Sequence, residues 1–136
     1  MKGILADVNI SGQVRNLVAT FFESEQWSEV WTALAISSLQ FANIGLAPRS
    51  PDDLVWQTCQ DMELVLITGN RNDDGPASLE ATIRERLTSE SLPVITISRP
   101  KSLGSNSAYT AQVGIKMLEY LSDIDKFRGT GRLYVP

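Results

Sequence analysis

Histidine is absent from this chain, and cysteine occurs once, as Cys59. Without an imidazole there is no serine–histidine or cysteine–histidine nucleophile and no histidine zinc site. A single thiol forms no internal disulfide and builds no thiolate metal centre. Within "LVWQTCQDM" it reads as a small core residue. Long apolar runs are missing too, since none approaches the roughly 20 residues that a membrane-spanning helix needs. The start, "MKGILADVN", reaches Asp7 before a signal-peptide apolar region could form, so a cytoplasmic protein with no membrane segment is expected. Nor is there an excess of positive charge: 12 Lys and Arg stand against 16 Asp and Glu, net −4. That balance argues against a protein that coats DNA. It leaves a nuclease open, because acids gathered on a metal would leave the remaining surface neutral. Any catalysis falls to carboxylates, hydroxyls, lysine, arginine or a bound metal.

What is present is an ordinary globular composition, 43% hydrophobic and 21% charged, in a chain long enough for one domain with a real core, residues 1–136. "KGILAD" is short and apolar and predicts a buried first strand ending at Asp7. In "SGQVRNLVATFFES", Val14, Leu17, Val18, Phe21 and Phe22 recur at helical spacing, with Asn9 or Ser11 available as a cap. Trp27, Val30, Trp31 and Leu34 keep that spacing, and "SLQFANI" then alternates as a strand. "SPDDLVWQTCQDM" predicts a helix with Ser50 as N-cap, Pro51 at its first position and Leu54, Val55 and Cys59 inward. "ELVLIT" is a continuous apolar strand of the kind buried on both faces of a parallel sheet. "ASLEATIRERL" places Leu79, Ile83 and Leu87 on one stripe, with Glu80 and Arg84 spaced to pair. "LPVITIS" is another strand, and Tyr109, Val113, Met117 and Leu121 line a last helix. The tail "FRGTGRLYVP" reads as an edge strand or a loose end. Strands alternating with helices predict an α/β fold, a three-layer sandwich around a central, mainly parallel sheet.

In such a sheet, ligands sit beyond the carboxyl ends of the strands. Asp7 closes the first strand there, and Asn70, Asn72, Asp73 and Asp74 follow the strand 63–67. Asp52 and Asp53 open a helix that could lie close by. Acids converging from three segments repel one another unless a cation neutralises them, and hard oxygen donors suit Mg²⁺ or Mn²⁺.

The pattern resembles the PIN-like domain superfamily, in particular small members that begin with a strand followed by Asp-x-Asn and later carry a strand ending in Thr-x-Asp. "LADVNIS" supplies Asp7 and Asn9, "SPDDLVWQTCQDMELVLITGN" supplies the helix-borne acid, and Thr68 ends the later strand; the likeness covers roughly residues 2–98. It implies a ribonuclease that hydrolyses RNA phosphodiester bonds with Mg²⁺ or Mn²⁺. Asp7 is then the principal metal ligand, Asp53 (or Asp52) the second acid, and Asp73 and Asp74 the later carboxylates. Asp7, Asp53 and Asp73 carry the catalysis. Asn9, Thr68, Asn70 and Arg71 lie by the substrate. The resemblance also implies a homodimer and a protein partner such as an antitoxin. Where the family has aspartates two and often four residues after the threonine, this chain has Asn70 and Asn72, which bring no charge. That departure supports an alternative, a non-catalytic PIN-like interaction or binding module with a degenerate metal site.

Plainer readings stand beside these. Asp52 and Asp53 occupy a first helical turn, where the helix dipole alone favours acids. Asp73 or Asp74 could simply cap the helix after Pro76, and Arg71 could be a solvated loop charge. Trp27, Trp31 and Trp56 fit a core or an interface better than a base-stacking platform. "RPKSLGSNS" holds Arg99 and Lys101 after a strand and could contact phosphate, although it lacks the ending of a nucleotide-binding P-loop. A receiver-like or flavodoxin-like domain ranks last, because Thr68 ends its strand without a phosphoryl-accepting aspartate.

Overall fold

The computed structural model describes residues 1–69, 75–76 and 78–136. Its strands are β1 (Gly3–Ala6), β2 (Ser37–Gln40), β3 (Leu64–Thr68), β4 (Val94–Ile97) and β5 (Arg132–Val135). They form one sheet in the order 2-1-3-4-5, every neighbouring pair parallel. The helices are α1 (Ser11–Leu17), α2 (Ser28–Leu34), α3 (Asp52–Asp61), α4 (Leu79–Arg86) and α5 (Ser107–Ser122). The expected α/β three-layer sandwich is therefore what the chain forms. Among the described residues no helix is long and apolar enough to cross a membrane.

The strand sequences explain the layering. β1, β3 and β4 are buried along their whole length, so both faces of each must be apolar. Ile4, Ala6, Val65, Ile67, Ile95 and Ile97 face one layer, where Val14, Leu17 and Phe22 meet Tyr109, Val113, Met117 and Leu121 of α5. Leu5, Leu64, Leu66 and Val94 face the other, against Val55, Trp56 and Cys59 of α3 and Leu79 and Ile83 of α4. The edge strand β2 carries exposed Ser37 and Ser38, which suits a border with water. At the opposite edge the tail forms β5, in register with β4 from Arg132 to Val135.

This arrangement gives the chain one unusual connection. The β1–β2, β2–β3 and β3–β4 crossovers share one hand: the first moves one way with its helices on the α1 face, and the other two move the opposite way with α3 and α4 on the far face. From β4 to β5 the chain keeps moving outward but puts α5 back on the α1 face, so this crossover has the opposite hand. Parallel crossovers are almost all right-handed, and burial explains the exception. The sixteen-residue α5 covers the apolar row running from Ile4 to Ile97 together with α1 and the Val18–Phe22 turn that continues it.

Local details depart from the sequence expectations at several ends. Neither Asn9 nor Ser11 caps α1; a 3-10 turn, Val8–Ile10, leads into it, and the Ser11 hydroxyl donates to the Val8 carbonyl. The helix that follows loosens into a π turn, Val18–Phe22. β2 stops at Gln40, whose N–H donates to the Asn43 side chain as a 3-10 turn begins at Phe41. Ser50 does not cap α3; Pro51 holds that position, and the Ser50 hydroxyl donates to the Ala47 carbonyl. Leu54 is 48% exposed and Trp56 takes its place inside. Leu87 ends α4 and is exposed. Glu80 pairs with Arg132 of β5, a partner that helical spacing cannot reveal.

Two glycines separate crowding from backbone freedom. A methyl group on Gly3 would sit 2.6 Å from the Ser37 carbonyl oxygen, whereas one on Gly12 meets nothing within 4 Å. Gly3→Ala is expected to cost about 1–3 kcal/mol by forcing β1 from β2. Gly12→Ala, inside α1, is expected to gain about 0.5 kcal/mol. Urea unfolding of the two variants checks both signs.

Cys59 is 1% exposed, as its sequence context suggested. Burial pushes its thiol from 9.0 up to about 12. Native protein should resist thiol alkylation at neutral pH, with labelling following global unfolding. The linkage has a definite sign: the folded pKa is raised, so the stability this thiol contributes is intact below pH 9.0 and is lost as pH climbs toward about 12. In Cys59→Ala that alkaline loss should be smaller, a difference that urea unfolding across the window measures.

Candidate functional site

The order 2-1-3-4-5 reverses direction between β1 and β3, and doubly wound sheets bind ligands beyond the strand ends at such a point. Here that point is chemically marked. Asp7 follows β1, its N–H donating to the Ile67 carbonyl at 2.9 Å. Thr68 closes β3, and its buried hydroxyl donates to Asp7 Oδ2 at 2.9 Å. Two adjacent strands thus end on one hydrogen-bonded pair, and the half-buried Asp7 carboxylate is held in place by it.

A cavity of about 100 Å³ opens over this pair, its polar lining made by Asp7, Asn9, Ser50, Asp52 and Thr68. Its floor is apolar, formed by Val55, Leu66 and Leu79. Asp52 enters from the first turn of α3, and its Oδ2 accepts the Leu79 N–H at 3.2 Å, tying the start of α3 to the start of α4. Asp53 is directed elsewhere: it pairs with Arg86 at 3.7 Å and does not line the cavity. The helix-borne acid at the site is therefore Asp52. Asp52 falls on the same stripe of the 3.6-residue helix as Val55, Trp56 and Cys59, all three of which are buried.

A second chamber of about 390 Å³ adjoins the first and shares Asp7 and Asn9 with it. Lys101 and Pro100 bring the loop after β4 to its wall, and Gln13 brings α1. Gly69 allows this close approach, since a methyl group there would lie 2.9 Å from Pro100. Arg99 is directed onto the Tyr109 ring, 4.4 Å from its centroid, while the Tyr109 hydroxyl accepts the Arg99 N–H. Of the two cations in that loop, Lys101 is the one at the chamber. Gln13 has no counterpart in the sequence reading, although its position four residues after Asn9, across the start of a helix, puts the two on one side.

Asn70, Arg71, Asn72, Asp73 and Asp74 lie outside the described residues. Among the described residues no group of three or more Asp, Glu, Cys or His is placed to hold a metal ion. The cavity presents two carboxylates with an amide and two hydroxyls. Every donor is a hard oxygen, and that set fits Mg²⁺ or Mn²⁺ better than a softer metal.

Comparison of the chain with protein-family models, with curated proteins and with solved structures finds no match.

Proposed function

We propose that the cleft over Asp7 and Thr68 is the site of a divalent-metal-dependent ribonuclease of PIN-like type. The observation that supports this reading is the convergence of Asp7 and Asp52, from separate segments, on one cavity at the sheet's switch point. Asp7 and Asp52 would hold Mg²⁺ or Mn²⁺, with Asp73 and Asp74 as further carboxylates. When bound, such an ion lowers the pKa of its water and offsets charge on a scissile phosphate. Thr68 keeps the Asp7 carboxylate oriented, and Asn9 and Thr68 present polar groups to the substrate. The Leu79 N–H holds Asp52, so neither carboxylate must be reordered when substrate arrives. In this reading the protein is cytoplasmic, acts on RNA, and is held in check by a protein partner such as an antitoxin.

A second reading rests on a specific observation. Asp7, Asp52 and Asp53 all have partners within the protein, and Asn70 and Asn72 bring no charge. These favour a PIN-like binding module that needs no metal. One experiment separates the two: titration of Mn²⁺ into metal-free protein, followed by melting temperature. Ligand at about 100 times its Kd adds roughly 2.7 kcal/mol to stability. A saturable rise is expected, absent in Asp7→Asn, weakened in Asp52→Asn and retained in Asp53→Asn. A flat response up to millimolar Mn²⁺ would instead remove the metal site and favour the binding module.

A further inference from the structure

We infer that the larger chamber beside Asp7 receives a single unstacked nucleotide of the substrate strand, with its base edge on Asn9 and Gln13 and its phosphate on Lys101. This rests on the ribonuclease reading and names what that site recognises. The chamber holds about 390 Å³, toward the small end of ligand pockets. It is suited to one nucleotide rather than a stretch of duplex.

The chemistry of the wall favours this occupant. Pro100 supplies aliphatic surface on which a flat ring can lie, and the amides of Asn9 and Gln13 offer paired donors and acceptors. Among the described residues, neither amide nor the Lys101 ammonium is engaged in a hydrogen bond or ion pair. An amide can meet a base edge through two hydrogen bonds. An ammonium meets phosphate as a point charge. Selectivity among bases follows from the two amides, because their donors and acceptors match the edges of different bases differently. Asp7 borders both cavities, so a nucleotide seated here places its own phosphate beside the proposed metal site.

The test uses the full chain and the 5′-monophosphates of adenosine, guanosine, cytidine and uridine, with inorganic phosphate as a control, followed by NMR shifts of backbone amides. One nucleotide is expected to bind about tenfold more tightly than the others, with shifts centred on residues 9–13 and 100–101. Gln13→Leu should reduce that preference to about twofold or less, and Asn9→Ala should do the same at an exposed position where folding is not at stake. Lys101→Ala should weaken all four nucleotides by a similar factor. Equal affinity for all four bases, phosphate binding as tight as any nucleotide, or shifts centred elsewhere would overturn the inference. Asp7→Asn distinguishes the two proposals: it should keep the base preference while losing the Mn²⁺ response. A base preference without any Mn²⁺ response in the wild type would remove the nuclease reading and leave the nucleotide site standing.

Discussion

Arg132→Met is expected to destabilise the fold by about 3 kcal/mol, near the lower end of what is seen when one partner of a buried ion pair is removed. Arg132 sits on the edge strand β5 with a side chain 7% exposed; it pairs with Glu80 at the start of α4 and donates to the Thr96 hydroxyl. The pair therefore joins β5 to β4 and α4. Glu80 is 32% exposed, so water can reach part of the abandoned carboxylate, which moderates the penalty. Its position in the first helical turn helps as well, since a helix N-terminus tolerates negative charge. If leaving Glu80 without its partner is the main cost, Arg132→Met combined with Glu80→Met should recover most of the loss. Urea unfolding of the wild type, both single variants and the double variant tests this. A double variant no better than Arg132→Met alone would assign the loss to packing of the arginine stem against the sheet.

Phe22→Ala should cost about 4 kcal/mol, within the usual range for deleting a buried aromatic ring. Phe22 is fully buried and stacks on Trp31, with ring centroids 4.8 Å apart. Beside it Phe21 stacks on Trp27 at 5.9 Å, and Phe21 lies so close to α5 that a methyl group on Gly114 would be 2.4 Å from its ring. These stacks matter because α2 has no fully buried residue of its own. Its attachment depends on half-buried Trp27, Trp31 and Leu34 packed against the core. Removing Phe22 therefore opens a cavity under the sheet and releases Trp31. Unfolding curves should shift to lower urea with little change in slope. The native tryptophan emission should move to the red as Trp31 gains water. A loss well under about 2 kcal/mol would show that neighbouring side chains collapse into the space.

The candidate site is partly legible in the sequence alone. Asp7 stood out because a charge directly after a buried strand needs a partner or a function, and the structure gives it Thr68. The sequence does not choose between Asp52 and Asp53. Consecutive helical residues point about 100° apart, so only the rotation of α3 about its axis decides which carboxylate meets the cleft. Trp56 turning inward in place of Leu54 sets that rotation, and Arg86 then draws Asp53 away. Lys101 was visible as a cation after a strand. Its seat beside Asp7 depends on Pro100 packing against Gly69.

By itself the amino-acid sequence determined the central elements, because side-chain period is a local property: the largely apolar strands within "KGILAD", "ELVLIT" and "LPVITIS", the α5 stripe from Tyr109 to Leu121, and the α/β class that follows from their alternation. It also limited the chemistry to oxygen donors and cations, through the absence of histidine. Only the tertiary structure decided the order 2-1-3-4-5, the reversed hand of the β4–α5–β5 crossover, the pairing of Glu80 with Arg132 and the selection of Asp52 over Asp53. Each depends on contacts between residues far apart in the chain. Those contacts form only where burying both faces of the sheet outweighs the entropy of closing the loops between them.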